Sequence, residues 1–303
     1  MSERISFHDQ IAGNKRKSIV LILIIFLFFI VLGYVISLAL DPGFFFIIMI
    51  LATLFSLTYI LISYYNSDKI ALASVKAKLA SKTQHRDFYN AAESMSIASG
   101  MPMPKLYVME SEQINGFASG RDPKNAVICM TTGALKKLDK HELEGVIAHE
   151  MSHIANYDIR FMTLTAVLVG LISIIAQIYL RSLFFSSMSR GNRRDGRAGA
   201  VILIASIVAA ILAPLFAHLV SLAISRKREF TADATAVKFI RSPTGLTKAL
   251  KKIKSENRLP EDKKSFSQAT APLFISDPFK KKIKGAFSTH PSLEERISRL
   301  ERM

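Results

Sequence analysis

The sequence of 303 residues contains a single cysteine, Cys129, and it shows neither an internal repeat nor a low-complexity tract. One thiol excludes an intrachain disulfide, and with it a disulfide-stapled fold. Because Cys129 lies in the apolar stretch "AVICMTT", we expect it to be a buried strand residue.

Charge is absent from two long runs near the N-terminus, residues 19–40 and 44–65, which only three residues separate. Each run reaches the roughly 20 residues that cross about 30 Å of hydrocarbon as a helix. The first run is longer than the core of a signal peptide and lacks a clear small-x-small cleavage site, so we predict a retained anchor. With the later apolar runs 161–180 and 200–224, the sequence predicts four membrane segments in two hairpins.

Acidic residues are scarce, with 24 Asp and Glu against 40 Lys and Arg, which gives a formal net charge of +16. The basic residues surround the apolar runs without interleaved aromatics or a recognisable nucleic-acid module. We therefore predict a lipid bilayer as partner and no nucleic acid.

Basic residues also indicate the topology, because they lie in the tail 1–17 and after the second run, whereas the turn between the runs has none. The positive-inside rule then places the tail and the following domain in the cytoplasm of a multi-pass protein in the cell membrane. The loop 181–199 carries five arginines and contradicts this rule if the second hairpin crosses the membrane fully. That leaves open whether the second hairpin spans.

The chain divides by composition into a tail, two membrane hairpins and two soluble parts. The predicted bounds are 1–17 for the tail, 18–65 and 161–224 for the hairpins, and 66–160 and 225–303 for the soluble parts. Helical periodicity covers 67–82 and 86–100, and strand-like runs cover 105–110, 114–119 and 126–132. Asp139 followed by Glu142 predicts a capping box at the start of a further helix.

That helix carries the motif His149-Glu150-Met151-Ser152-His153, which fits H-E-x-x-H. Positions four apart share a helix face, so both imidazoles can bind one Zn²⁺, and Glu150 can act as general base toward an attacking water. The alternative is a polar helix face whose histidines are satisfied by backbone or solvent.

A catalytic zinc needs a third protein ligand, and "REFTAD" offers Glu229 and, one turn later, Asp233. Glu229 completes a set of two histidines and one glutamate. Asp233 is placed to accept a hydrogen bond from the distal nitrogen of a ligating imidazole. The alternative for this pair is a solvated helix face.

With these residues in place, the chain resembles the HtpX/Ste24 group of membrane zinc metalloproteases, family M48, and specifically its HtpX-like branch. The similarity runs from about residue 101 to the C-terminus through five ordered motifs: "NGFASG", "ELEGVIAHEMSHI", an apolar hairpin, "SRKREFTADATAV" and "FSTHPSLEERI". The resemblance implies an α+β, gluzincin-type metallopeptidase domain, mostly helical with a small sheet, attached to four membrane-associated helices. It implies Zn²⁺ held by His149, His153 and Glu229, with Glu150 as catalytic base and Asp233 behind a ligand.

The resemblance further implies that an edge strand around Asn115, Gly116 and Phe117 binds the substrate backbone by strand addition. This chain has Gly116 where the family usually has alanine. His290 resembles a histidine that approaches the metal, and we predict that it stabilises the oxyanion or caps the open zinc position. Arg296 is predicted to hold substrate or the loop beside it. A turn residue before a proline is the alternative for His290.

These observations predict a zinc-dependent membrane endopeptidase that cuts membrane or misfolded proteins, and the resemblance implies a role in membrane-protein quality control. A dedicated processing peptidase is a narrower alternative. A catalytically inactive, zinc-binding membrane scaffold or transport component is the rival from another class. The first two apolar runs contain no charged residue that would mark an ion pathway, which argues against transport.

Overall fold

The computed structural model describes residues 7–39, 42–166, 226–256, 273–276 and 291–303. Most of the second predicted hairpin, its arginine-rich loop and His290 lie outside these residues.

Two long apolar helices open the chain. Helix α1 (Phe7–Ala39) is followed by a short 3₁₀ turn, Pro42–Phe44, and by helix α2 (Phe45–Tyr65), which packs along α1. Within them, Ile11–Tyr34 and Phe45–Tyr65 are long and apolar enough to cross a membrane. Most of the large apolar side chains of α2 are exposed, so they fit contact with lipid better than a soluble core.

A mixed sheet of four strands follows. The strands are β1 (Lys78–Leu79), β2 (Lys105–Met109), β3 (Gly116–Gly120) and β4 (Ala126–Thr131). Their order is β1-β2-β4-β3, with β2 and β4 parallel and the other pairs antiparallel. Strand β3 is therefore an edge strand. Cys129 is fully buried in β4, as predicted.

One predicted helix is shorter than its periodicity indicates. Helix α3 (Ser67–Ser74) stops well before residue 82, because the chain turns at Lys76, whose φ of 52° is left-handed, and enters strand β1. Helix α4 (Arg86–Ser99) does end where expected, at Gly100, which adopts the left-handed conformation that glycine accommodates.

The remaining helices surround α6 (Lys140–Ala155), which runs through the centre of the domain. Around it lie α5 (Thr132–Lys137), α7 (158–166), α8 (Arg226–Ile240), α9 (Thr244–Glu256) and α10 (Leu293–Leu300). The predicted capping box starts α6: the Asp139 carboxylate accepts from the Glu142 backbone, and the Glu142 carboxylate accepts from the Asp139 backbone.

Two glycines let α6 and α9 cross at very short distance. A Cβ on Gly145 would stand 2.4 Å from the backbone nitrogen of Leu246, and a Cβ on Gly245 would stand 2.2 Å from the carbonyl oxygen of His141. Because both neighbours are backbone atoms, neither helix can accept a side chain at this crossing. Helix α8 and helix α4 pack on the other sides of α6, so the motif helix is enclosed.

Candidate metal centre

The two motif histidines lie one turn apart on α6 and face each other. The Nε2 atoms of His149 and His153 are 3.2 Å apart, and both side chains are buried. Two ring nitrogens at this distance fit a shared ligand, because donors bound at about 2.0–2.1 Å to a tetrahedral zinc lie roughly 3.3 Å from each other.

Helix α8 brings Glu229 to the same point from a part of the chain distant in sequence. Its carboxylate oxygens lie 3.7 Å from Nε2 of His149 and 3.8 Å from Nε2 of His153. The three side chains offer ligand atoms within 4.8 Å of one another. Two imidazoles and one carboxylate form a donor set that suits zinc and leaves a fourth position for water or substrate.

Each histidine is held from behind by an aspartate. Nδ1 of His149 lies 2.9 Å from Oδ1 of Asp233, and Nδ1 of His153 lies 3.0 Å from Oδ2 of Asp158. A carboxylate only accepts hydrogen bonds, so Nδ1 is the donor to the aspartate on each ring, and Nε2 is the nitrogen that faces the metal position.

Sequence reasoning missed Asp158. The residue follows α6 in "NYD", after a turn in which Tyr157 has a left-handed φ of 58°. No helical spacing relates it to His153, so only this turn places its carboxylate behind the ring. An aspartate shortly after H-E-x-x-H, at the start of the next helix, was the available signal.

Glu150 is buried beside the metal position and is held on the sheet. The backbone N–H of Ala118 on β3 donates to its carboxylate. Burial raises the pKa of Glu150 to about 7, with the Glu229 carboxylate adding to the rise and His153 opposing it. A carboxyl with a pKa near neutrality is suited to proton transfer.

Arg296 reaches the site from α10 and is completely buried. Its guanidinium donates twice to Asp233, at 2.9 and 2.7 Å, and lies 3.4 Å from a Glu229 oxygen. It also donates to the Ile275 carbonyl oxygen at 3.1 Å. Arg296 thus joins the carboxylate behind His149 to the segment 273–276.

The predicted substrate strand lies next to that segment. The Gly116 carbonyl oxygen accepts from Ile275 N–H at 3.0 Å, and the Asn115 amide donates to the Ser276 carbonyl oxygen at 2.9 Å. The Phe117 side chain packs edge-to-face with Phe274, among the buried residues on the sheet face opposite α6. Part of the β3 edge is therefore covered by the chain's own segment 273–276.

The sequence matches a known family of peptidases over most of its length. The model for peptidase family M48 matches residues 82–303. The chain belongs to peptidase family M48. The match confirms two predictions, the enzyme class of metallopeptidase and the resemblance to family M48.

Full-length relatives place the chain beside HtpX within M48. A "Protease HtpX homolog" of Dictyoglomus thermophilum is 42% identical over 298 residues, which cover 98% of this chain and 95% of that protein. A "Protease HtpX homolog" of Listeria monocytogenes serotype 4a is 39% identical, with 97% and 99% covered. The crystal structure of S. mikatae Ste24p matches at 18% identity and a TM-score of 0.47, and the match covers 88% of this chain and 62% of that one.

Proposed function

We propose that this protein is a zinc-dependent membrane endopeptidase. The observation that carries the proposal is the triangle of His149, His153 and Glu229, with an aspartate behind each imidazole and Glu150 beside the opening. Structural zinc sites fill all four positions with protein ligands, whereas this triangle supplies three ligands and has a buried carboxyl beside it.

The three ligands would hold one zinc ion, in a gluzincin-type arrangement. When bound, zinc supplies Lewis-acid chemistry that acidifies water and polarises a peptide carbonyl. Glu150 takes the proton of the attacking water and passes it to the leaving amine. Asp233 and Asp158 keep the two imidazoles in the tautomer that presents Nε2.

The substrate is proposed to bind as an extended strand along β3, at the backbone of Asn115, Gly116 and Phe117. Because Ile275 N–H already occupies the Gly116 carbonyl, a substrate strand has to share this edge with the segment 273–276 or displace it. Arg296 acts on this segment through its hydrogen bond to the Ile275 carbonyl oxygen. We propose that His290 stabilises the oxyanion or caps the open position.

We also propose how the chain is arranged in the membrane. Helices α1 and α2 form the first anchor, residues 161–224 the second hairpin, and residues 66–160 with 225–303 the catalytic domain at the cytoplasmic face. Substrates are then membrane or misfolded proteins that reach this face, as membrane-protein quality control requires.

The test is proteolysis of an unfolded substrate by the detergent-purified full chain, with zinc content measured on the same sample. We expect stoichiometric zinc and cleavage by the wild type, and zinc without cleavage in Glu150→Gln. Glu144→Gln is the matched control, because Glu144 lies on the same helix but is partly exposed and pairs with His141. Zinc binding without cleavage in the wild type would favour the inactive scaffold, and cleavage by Glu150→Gln would refute the assigned base.

A further inference from the structure

The N-terminal part of helix α1 lies against the turn that follows the motif helix. Asn14 and Ser18, one turn apart on α1, are both buried there. Nearby, the Lys15 ammonium lies 4.4 Å from the centre of the Tyr157 ring. This contact joins helix α1 to the turn that precedes Asp158.

Asn14 makes two hydrogen bonds across this contact. Its Nδ2 donates to Oδ1 of Asp158 at 2.6 Å and to the Asn156 carbonyl oxygen at 2.9 Å. Since both partners can only accept, the orientation of the amide is fixed. The amide therefore clamps the turn and the carboxylate together.

Asp158 is buried and divides its two oxygens between two tasks. Oδ1 accepts from Asn14 and lies 3.2 Å from Nε of Arg228 on α8, whereas Oδ2 lies 3.0 Å from Nδ1 of His153. A buried carboxylate whose oxygens are held separately cannot rotate without losing charge-assisted hydrogen bonds. Its position behind His153 is thus set from the membrane helix on one side and from α8 on the other.

We infer that Asn14 is a positioning residue of the metal centre, acting on the zinc ligand His153 through Asp158. This inference rests on the proposed function, because it concerns the proposed zinc ligand. It makes the first membrane helix a structural part of the site as well as an anchor.

The amide is chemically suited to this position. It supplies two donors without adding a charge beside Arg228. An aspartate at residue 14 would place a second carboxylate against Asp158, whereas an alanine would leave Oδ1 with one donor fewer.

The test measures zinc affinity by competition with a chelator, using the detergent-purified full chain. Partners behind metal ligands change metal affinity by about 10–100-fold, and we expect Asn14→Ala to weaken zinc binding roughly tenfold, at the low end of that range. Ser18→Ala is the matched control, because Ser18 is buried on the same face of α1 but donates only to the Asn14 carbonyl oxygen of its own helix. We expect it to keep wild-type zinc affinity.

A second variant separates positioning from general loosening of the helix. In an Asp158→Asn background the link to His153 is already weakened, so adding Asn14→Ala should lower zinc affinity much less than it does in the wild type. Unchanged affinity in Asn14→Ala, equal losses in Asn14→Ala and Ser18→Ala, or full additivity with Asp158→Asn would each overturn the inference. A wild type that binds no zinc would instead overturn the proposed function, and with it this inference.

Discussion

Arg296 is the largest completely buried side chain in the described part of the chain, and its charge is balanced by Asp233. Replacing it with alanine removes two charge-assisted hydrogen bonds and leaves the aspartate behind His149 without its partner. We predict that Arg296→Ala destabilises the catalytic domain strongly. It should also weaken zinc binding, because Asp233 lies behind the proposed ligand His149.

The size of the expected loss of stability follows from the burial of Arg296 and Asp233. Breaking a buried ion pair by removing one partner costs about 3–5 kcal/mol, since the remaining charge stays desolvated. For domains of this size about 1 kcal/mol moves the melting temperature by roughly 2–4 °C, so we expect a fall of about 6–20 °C. Arg296→Lys should give an intermediate fall, because it keeps the charge but loses the planar fork that grips both Asp233 oxygens.

The assay is thermal unfolding of the detergent-purified chain, run with zinc and with a chelator. Arg299→Ala provides the control, because Arg299 lies on the same helix and is half-exposed, with contacts to Glu295 at 3.0 Å and to the Phe230 ring at 3.6 Å. Exposed pairs contribute about 0–1 kcal/mol, so this variant should melt within a few degrees of the wild type. Equal shifts in Arg296→Ala and Arg299→Ala would refute the argument from burial.

The same pair predicts the effect of acid. Burial alone raises the pKa of Asp233, but the Arg296 guanidinium outweighs it and holds that pKa below its ordinary value. A depressed pKa contributes stability above the unfolded pKa and loses it as pH falls toward the folded one. The wild type should therefore lose more stability on acidification than Arg296→Ala, and parallel acid curves would contradict the assignment.

Three further predictions concern the reaction, the metal and the edge strand. Burial raises the pKa of Glu150 to about 7, and a bound cation lowers it again. We therefore expect kcat/KM to fall as the pH decreases, with an apparent pKa at or below about 7. A pH-independent kcat/KM would contradict the assignment of Glu150 as general base. Burial lowers the pKa of His153, but the Asp158 hydrogen bond and nearby carboxylates raise it to about 9. Zinc binding below that pH should therefore release a proton, because the metal takes the place of the proton on the ring. Calorimetry in buffers of different ionisation enthalpy measures this release. Asp158→Asn should reduce that release. A Cβ on Gly116 would stand 2.4 Å from the Met130 sulfur. Gly116→Ala should therefore lower the free energy of unfolding by about 1–3 kcal/mol, measured by thermal unfolding. An unchanged stability would show that the Met130 side chain moves freely to make room.

Local features of the fold could be predicted from the sequence. The capping box at Asp139, the three longer strands and the C-terminal turn at Gly100 follow from short-range rules, and the structure confirms them. Strand β3 begins two residues later than its apolar pattern indicates. The order of the strands and the short strand β1 depend on long-range pairing, which no local pattern records.

The candidate site shows the same division. The three candidate ligands could be selected from the sequence because a shared helix face or a motif in the family's order identifies them, and the structure brings them together. Asp158 could not be selected, because its position depends on one left-handed turn, and Asn14 could not, because a polar residue at the start of an apolar helix carries no sign of its partner. Arg296 was predicted near the site, but its contact with Asp233 arises only when α10 packs against α8.

The charges of the buried residues around His149 and His153 depend on one another. Around the two imidazoles lie four buried carboxylates and two buried guanidinium groups, which leaves an excess of two negative charges. Arg228 pairs with Asp158, and Arg296 pairs with Asp233 and lies 3.4 Å from a Glu229 oxygen. Two guanidinium groups cannot neutralise four buried carboxylates, and burial raises the pKa of Glu150 to about 7. A single divalent cation at the triangle would neutralise this excess with both imidazoles neutral, so it would stabilise the folded site as well as supply its chemistry.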